Sequence, residues 1–357
     1  MFDHLSLPVL LAIFGGAAGI VWWAGIRLAH STDILATRLG LGEALGGLIM
    51  LAIATNLPEL AITATAAWRG NLSVAIGNIL GGIALQTLVL VALDAIGMRG
   101  RDPLTYKAAS LSMVLEGILV VAVLIVAIMA SRLSPNLIVA RLAPGDVLIT
   151  LLWVAGIWLI GRASKTLPWH ENGAAPDAQT APKGHSKTQK ANAGGRTTST
   201  IRAGLMFAIS AATTLVCGMI LETSGNAIAL NIGMTGVLFG ATVLAAATSL
   251  PELSTGLASV KLGDYRLAIS DIFGGNAFLP VLFLLATLIS GHSALPQAQA
   301  SDIYLAGLGV LLTCIYMYGL VFRPRIKILG MGIDSFVVLA LYALGMGGLF
   351  AISAGHH

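Results

Sequence analysis

Charge is what this sequence has least of. Lys, Arg, Asp and Glu make up 10% of its 357 residues, where soluble domains carry about 25%. So few charges cannot dress a water-facing surface. The mean hydropathy of +0.89 and apolar runs along most of the chain place it in a bilayer. The apolar runs are long rather than short and alternating, which excludes a transmembrane β-barrel. Cysteine is nearly absent. Cys217 and Cys314 lie in apolar runs, where they pack as small hydrophobes, and no CxxC or His/Cys cluster offers a resident metal site. There is no HExxH pair, no pair of catalytic aspartates and no Ser/His arrangement within the runs, so an intramembrane enzyme is not expected and no cofactor is implied. No basic residue precedes the first run and it carries no convincing cleavage site, so it reads as a retained helix. The net charge of +4 does not gather into a nucleic-acid-binding patch. The expected partners are small cations and the lipid bilayer, with no obligate protein partner.

What is there is a set of ten apolar runs, near 7–27, 40–66, 72–97, 108–130, 146–162, 203–222, 235–259, 266–290, 302–322 and 330–353. Each is long enough to cross a hydrocarbon core of about 30 Å as a helix. Counting Lys and Arg tests the number of spans. Ten crossings put 3 (Arg69, Arg132, Arg141) on one side and the remaining 17 of the 20 on the other. The positive-inside rule then predicts both termini outside, in a multi-pass protein of the cell inner (plasma) membrane. The one long hydrophilic stretch, 163–201, is rich in Ala, Gly, Thr, Lys and Pro and is expected to be a flexible cytoplasmic linker. It divides the chain into an N-terminal five-helix half, 1–162, and a C-terminal five-helix half, 202–357.

The halves are related. Residues 42–82 align without a gap to 235–275 at an offset of 193, with 16 of 41 positions identical. Leu51-Ala-Ile-Ala-Thr-Asn-Leu-Pro-Glu-Leu60 matches Leu244-Ala-Ala-Ala-Thr-Ser-Leu-Pro-Glu-Leu253. Ala75-Ile-Gly-Asn-Ile-Leu-Gly-Gly82 matches Ala268-Ile-Ser-Asp-Ile-Phe-Gly-Gly275. Such a match marks an internal duplication. Five spans separate the copies, an odd number, so they enter the membrane from opposite sides. The predicted fold is therefore an all-α integral membrane protein of ten helices, built as two inverted five-helix repeats, with substrate held between them near the midplane. With the flanking residues, the repeats cover 42–86 and 235–279.

The paired motifs carry the chemistry. Pro58 and Pro251 interrupt their helices, because proline lacks an N–H and clashes with the carbonyl four residues earlier (Ala54 and Ala247). Broken helices are tolerated in a membrane where they line a cavity. A carboxylate follows each proline, Glu59 and Glu252, and Thr55, Asn56, Thr248 and Ser249 precede them. Carboxylate, hydroxyl, amide and carbonyl oxygens together suit hard cations such as Na+ or Ca2+. A central acidic residue costs roughly 2.5–3.5 kcal/mol to insert, and no basic residue sits at comparable depth to offset it. Cations or protons must then neutralise the pair. Asn78 and Asp271 are equivalent positions of the second motif, one helix further on. Glu116 interrupts the fourth run, as an interfacial group or part of a proton path, and Glu43 is expected to stabilise a helix N-terminus.

The two blocks resemble the α-repeats of the sodium/calcium exchanger superfamily, which read G-T-S-L-P-E and G-N-x-x-G-S-N. The resemblance implies Na+-driven Ca2+ exchange. It also implies side-chain ligands at Thr55, Glu59, Thr248, Ser249 and Glu252, and backbone carbonyl ligands at Ala52, Leu244 and Ala245. Asn78, Gln86, Asp271 and Asn276 complete the candidate metal-binding set. The sequence departs from the family pattern in several places. Asn56 replaces a serine, and Gly82 and Gly275 replace the serine of G-S-N. Gln86 and Leu279 stand where Asn or Asp is expected, and the counterpart of the surviving Asn276 is the apolar Ile83. Fewer oxygens favour fewer ions per cycle, or a proton in place of one Na+. The expectation is secondary-active antiport, Na+ (or H+) against Ca2+, by alternating access. The alternatives are H+-coupled exchange of Mg2+, Mn2+ or K+, and a transport-dead membrane scaffold.

Overall fold

The computed structural model describes residues 2, 5–38, 46–163, 199–234, 239–261 and 263–354. Most of the expected linker (164–198), Glu43 and the first residues of each repeat copy (42–45 and 235–238) lie outside the described residues.

The chain is built of helices: α1 (Leu7–Arg38), α2 (Gly46–Thr55), α3 (Leu57–Trp68), α4 (Leu72–Ala92), α5 (Leu104–Ala108), α6 (Leu111–Ala130), α7 (Pro144–Ala163), α8 (Thr200–Asn231), α9 (Ala245–Thr248), α10 (Leu250–Lys261), α11 (Tyr265–Phe278), α12 (Leu282–Ser290), α13 (Ala300–Phe322) and α14 (Ile333–Ala354). A π-helical turn (Leu93–Gly97) extends α4, another (Gly240–Leu244) leads into α9, and a 3-10 turn (Leu279–Val281) joins α11 to α12. One departure from an all-helical chain is a small antiparallel hairpin, β1 (Lys327–Ile328) and β2 (Met331–Gly332), just before α14.

Among the described residues, eight helices are long and apolar enough to cross a membrane. Expected spans two and seven are the others, and each appears as two short helices in succession, α2–α3 and α9–α10. The sequence explains the interruption. Pro58 cannot donate to Ala54, so a continuous helix is not available; the proline sits instead in the first turn of α3, where a missing N–H costs nothing. The break falls at Asn56 (φ −87°, ψ 14°), and at its repeat counterpart Ser249 (φ −80°, ψ 2°). Two other expected boundaries shift. α1 runs on to Arg38 rather than ending near 27, and α8 to Asn231 rather than 222, because neither region holds a helix-stopping Pro or Gly-rich turn.

Burial ranks the helices. In α4 with its π turn 72% of the apolar window is buried, and in α11–α12 67%, against 22% in α7 and in α14. The two helices carrying the second motif of each repeat therefore form the centre of the bundle. α7 and α14 present Leu148, Leu151, Val154, Trp158, Leu344 and Phe350 outward, as lipid-facing helices do. With no hydrophobic driving force between helices in lipid, close packing must come from small residues. α1 and α8 pack along one another and against the broken helices. There Gly25 of α1 abuts Pro251, and Gly218 of α8 abuts Pro58. Both pairs are related by the same offset of 193, so the repeat extends into the first helix of each half.

Two buried aspartates tie the halves together. Asp94 accepts from the backbone N–H of Leu104 (2.8 Å) and of Gly332 (2.7 Å). Asp146, at the start of α7, accepts from the Thr287 hydroxyl at 2.5 Å, which in turn accepts from the N–H of Ala294 (3.1 Å).

Candidate functional site

The helix breaks position the glutamates. Glu59 lies in the first turn of α3 and Glu252 in the first turn of α10, where unpaired backbone N–H groups make the helix end electropositive and favour a carboxylate. Both side chains are fully buried, as are Thr55, Asn56, Asn78, Gln86, Thr248, Ser249, Asp271 and Asn276 to within 3%. The same sequence element thus breaks the helix and supplies the acidic group.

The pairing crosses the repeats. The Thr248 hydroxyl lies beside Glu59, and the Thr55 hydroxyl beside Glu252. Thr55 is the counterpart of Thr248 and Glu59 of Glu252, so one contact is the pseudo-two-fold image of the other. The two carboxylates are close enough for the charge of Glu59 to act on Glu252, and Asp271 acts on Glu252 as well. Asp271 is held by Thr255 (2.7 Å) and Thr55 (3.4 Å), both donating to its carboxylate. Thr255 escaped the sequence reasoning. It stands one turn after Glu252 on the same helical face, but its repeat counterpart Ile62 is apolar, so the duplication gave no signal for it.

Several oxygens here have no hydrogen-bond donor among the described residues: Glu59 Oε2, both oxygens of Glu252 and Gln86 Oε1. Buried polar atoms are ordinarily satisfied, so this concentration of unpartnered acceptors asks for a positively charged species. The described residues contain no ion pair to Glu59, Glu252 or Asp271. No three His, Cys, Asp or Glu side chains among them converge as a metal cluster. A cation here must therefore take hydroxyl, amide or carbonyl oxygens along with the carboxylates.

Other candidates are engaged locally. The Ala52 carbonyl accepts from the Asn56 backbone N–H (3.2 Å), from Asn56 Nδ2 (2.7 Å) and from the Thr55 hydroxyl (3.3 Å). The Ala245 carbonyl accepts from the Ser249 N–H (3.0 Å), the Ser249 hydroxyl (2.8 Å) and the Thr248 hydroxyl (3.2 Å). Gln86 Nε2 donates to Asn56 Oδ1 (3.1 Å) and to Glu59 Oε1 (3.3 Å). Asn276 is not drawn to the glutamates but donates to the Thr87 hydroxyl on α4 (3.1 Å). Both amide atoms of Asn78 lack a partner among the described residues. Leu244 is buried at the end of the π turn, a distortion that recurs at functional sites. Glu116 of α6 lies beside Ser270 and borders a cavity of about 50 Å³ that Ala52 and Gly274 also line.

The chain matches the family model for sodium/calcium exchanger proteins over residues 9–161 and 202–351. It is 25% identical over 256 residues to CaxA of Alkalimonas amylolytica, a protein provisionally designated an antiporter (72% of this chain and 73% of CaxA). It is also 25% identical over 284 residues to the inner membrane protein YrbG of Escherichia coli K12 (79% and 81%). Among solved structures, the H+/Ca2+ exchanger CAX superposes with a TM-score of 0.65 at 17% identity, covering 96% of this chain and 82% of CAX. The sodium-calcium exchanger NCX_Mj superposes at 0.61 and 15% identity, covering 96% and 99%. These two likenesses establish the fold.

Proposed function

Because the chain belongs to the sodium/calcium exchanger protein family, a family of membrane transporters rather than enzymes, we propose that it exchanges Na+ or H+ for Ca2+ through the site between Glu59 and Glu252. The observation that carries this is the reciprocal, fully buried glutamate pair, facing the other repeat's threonine with no cationic partner among the described residues. Two carboxylates this close repel unless neutralised. A divalent cation can neutralise both at once, whereas the returning state needs monovalent cations or protons there. That requirement is itself a coupling rule, since the protein avoids crossing the membrane with the pair bare.

Oxygens from Glu59, Glu252, Thr55, Thr248 and Ser249 would hold the cation, with the charge of Asp271 acting from beside Glu252. The halves 1–162 and 202–357 would act as inverted repeats rocking about the pseudo-two-fold axis, with α1 and α8 bearing on the two prolines. Both termini would face outward from the inner membrane, with the 163–201 segment in the cytoplasm, as the Lys/Arg distribution requires. Uptake of radiolabelled Ca2+ into proteoliposomes under an imposed Na+ or H+ gradient tests the proposal. Gradient-dependent uptake is expected, and the gradient that drives it names the coupling ion. No uptake under either gradient removes the calcium assignment, and uptake of Mg2+, Mn2+ or K+ under the same gradients then identifies another cargo.

A further inference from the structure

The repeats share the place of their helix breaks but not the chemistry around their glutamates. On the first repeat's side a chain of hydrogen bonds has a fixed polarity. The Ala52 carbonyl can only accept, so the Asn56 amide at 2.7 Å must present its Nδ2 to it. Asn56 Oδ1 therefore faces Gln86 and must accept from Gln86 Nε2 (3.1 Å). The same Nε2 reaches Glu59 Oε1 at 3.3 Å. Reversing either amide would set two acceptors against each other, so the backbone carbonyl at one end dictates that Glu59 receives a donor at the other.

The room for this chain comes from the opposite repeat. A Cβ on Gly275 would lie 2.7 Å from Asn56 Nδ2 and 3.4 Å from Gln86 Oε1. Any larger residue there would collide with the amide. At the repeat-related place the side chain against Gly82 is Leu279, at 3.6 Å from a Cβ position, and Leu279 is the counterpart of Gln86. The second repeat thus has no donor to offer Glu252, and neither oxygen of Glu252 accepts a hydrogen bond among the described residues. Ser249 replaces Asn56 there. Its hydroxyl bonds the Ala245 carbonyl (2.8 Å) yet keeps lone pairs for a cation, which an amide N–H lacks.

We propose that the Ala52–Asn56–Gln86–Glu59 chain is a built-in donor that closes the first repeat's side to cations. A single cation then binds off-centre, on the second repeat's side, with Glu252 and Ser249 as its ligands and the charges of Asp271 and Glu59 acting on it from beside Glu252. Gln86 is the residue that sets this occupancy. The inference rests on the antiporter reading but goes beyond it, by fixing how many cations bind and which glutamate dominates.

Equilibrium binding of radiolabelled Ca2+ to the purified full-length protein, with Na+ as competitor, tests it. The wild type should hold one Ca2+ per chain, with Na+ competing at a Hill coefficient near one. Glu252→Gln should weaken Ca2+ binding by about 100-fold and Glu59→Gln by about 10-fold or less, the difference between losing an unpartnered charged ligand and one already engaged. Gln86→Glu, which replaces the donor by an acceptor, should admit a second cation. The glutamate comparison and the wild-type count stand without that variant should it not fold. Equal losses in the two glutamate variants, or two or more cations in the wild type, overturn the inference and leave the antiporter reading intact. No Ca2+ or Na+ binding in the wild type overturns both.

Discussion

Replacing Gly25 by alanine tests the reciprocal seams that hold α1 and α8 on the broken helices. The added methyl would stand 2.6 Å from Pro251 Cβ, 2.9 Å from its Cγ and 3.2 Å from its Cα. Carbon atoms in contact settle at about 3.5–4.0 Å, so α1 and α10 must separate by roughly 1 Å. Neither side can yield by a rotamer change, since the obstacle is a proline ring at a helix start. Overpacking of this kind costs about 1–3 kcal/mol, offset by at most about 1 kcal/mol from better helix propensity. In Gly218→Ala the methyl meets Ala61 Cβ at 2.8 Å and the Pro58 carbonyl oxygen at 3.0 Å, with the same expected sign. Gly19→Ala, with no atom within 4 Å of its Cβ position, is the control. Thermal unfolding of the purified protein should show Gly25→Ala and Gly218→Ala melting a few degrees lower, with Gly19→Ala unchanged or higher. Exchange should fall in the first two as well, because Pro251 and Pro58 immediately precede the glutamates. If all three variants behave alike, the seams do not position the site.

Other substitutions probe the supports. Arg69 is 42% exposed and pairs at 3.2 Å with Glu222, which is 1% exposed. Arg69→Ala should cost about 1–2 kcal/mol after allowance for solvent screening, and adding Glu222→Gln should restore most of it in a chemical-denaturation or melting assay. Asp94→Asn leaves one acceptor for the two buried N–H groups of Leu104 and Gly332, so a loss of about 1–3 kcal/mol is expected; a melting temperature equal to wild type would contradict it. Asp264 caps α11 by accepting from the Leu267 N–H (3.2 Å). Burial pushes its carboxyl up to about 6, against that hydrogen bond and the Arg266 charge. The folded state therefore holds its proton more tightly than the unfolded one, and stability falls as pH rises from about 4 to about 6. Asp264→Asn should keep the cap and flatten that slope, whereas Asp264→Ala should lose about 1 kcal/mol at all pH values.

The glutamate pair was legible in the sequence because duplication prints the same residues twice at a constant spacing. So was the interruption of spans two and seven, since proline chemistry is local. The place of the break was not, for Asn56 and Ser249 have no intrinsic stop signal and become one only through the proline two residues on. The cross-repeat contacts of Thr248 with Glu59 and of Thr55 with Glu252 require the halves to be docked, which no local pattern encodes. The departures at Asn56 and Gly275 read in the sequence as one bulkier amide and one lost hydroxyl. In the fold they are a single exchange of volume, the amide occupying the space that the glycine leaves. Compensation between residues so distant in the chain has no one-dimensional signature. Thr255 was missed because it breaks the symmetry that revealed its neighbours.

The most direct test is ion exchange by Glu59→Gln and Glu252→Gln beside the wild type, in proteoliposomes loaded with one cation and challenged with a gradient of another. Gradient-driven Ca2+ flux in the wild type, sharply reduced in both variants while each remains folded and inserted, is the expected result. Undiminished flux in either variant would contradict a site centred on the two glutamates.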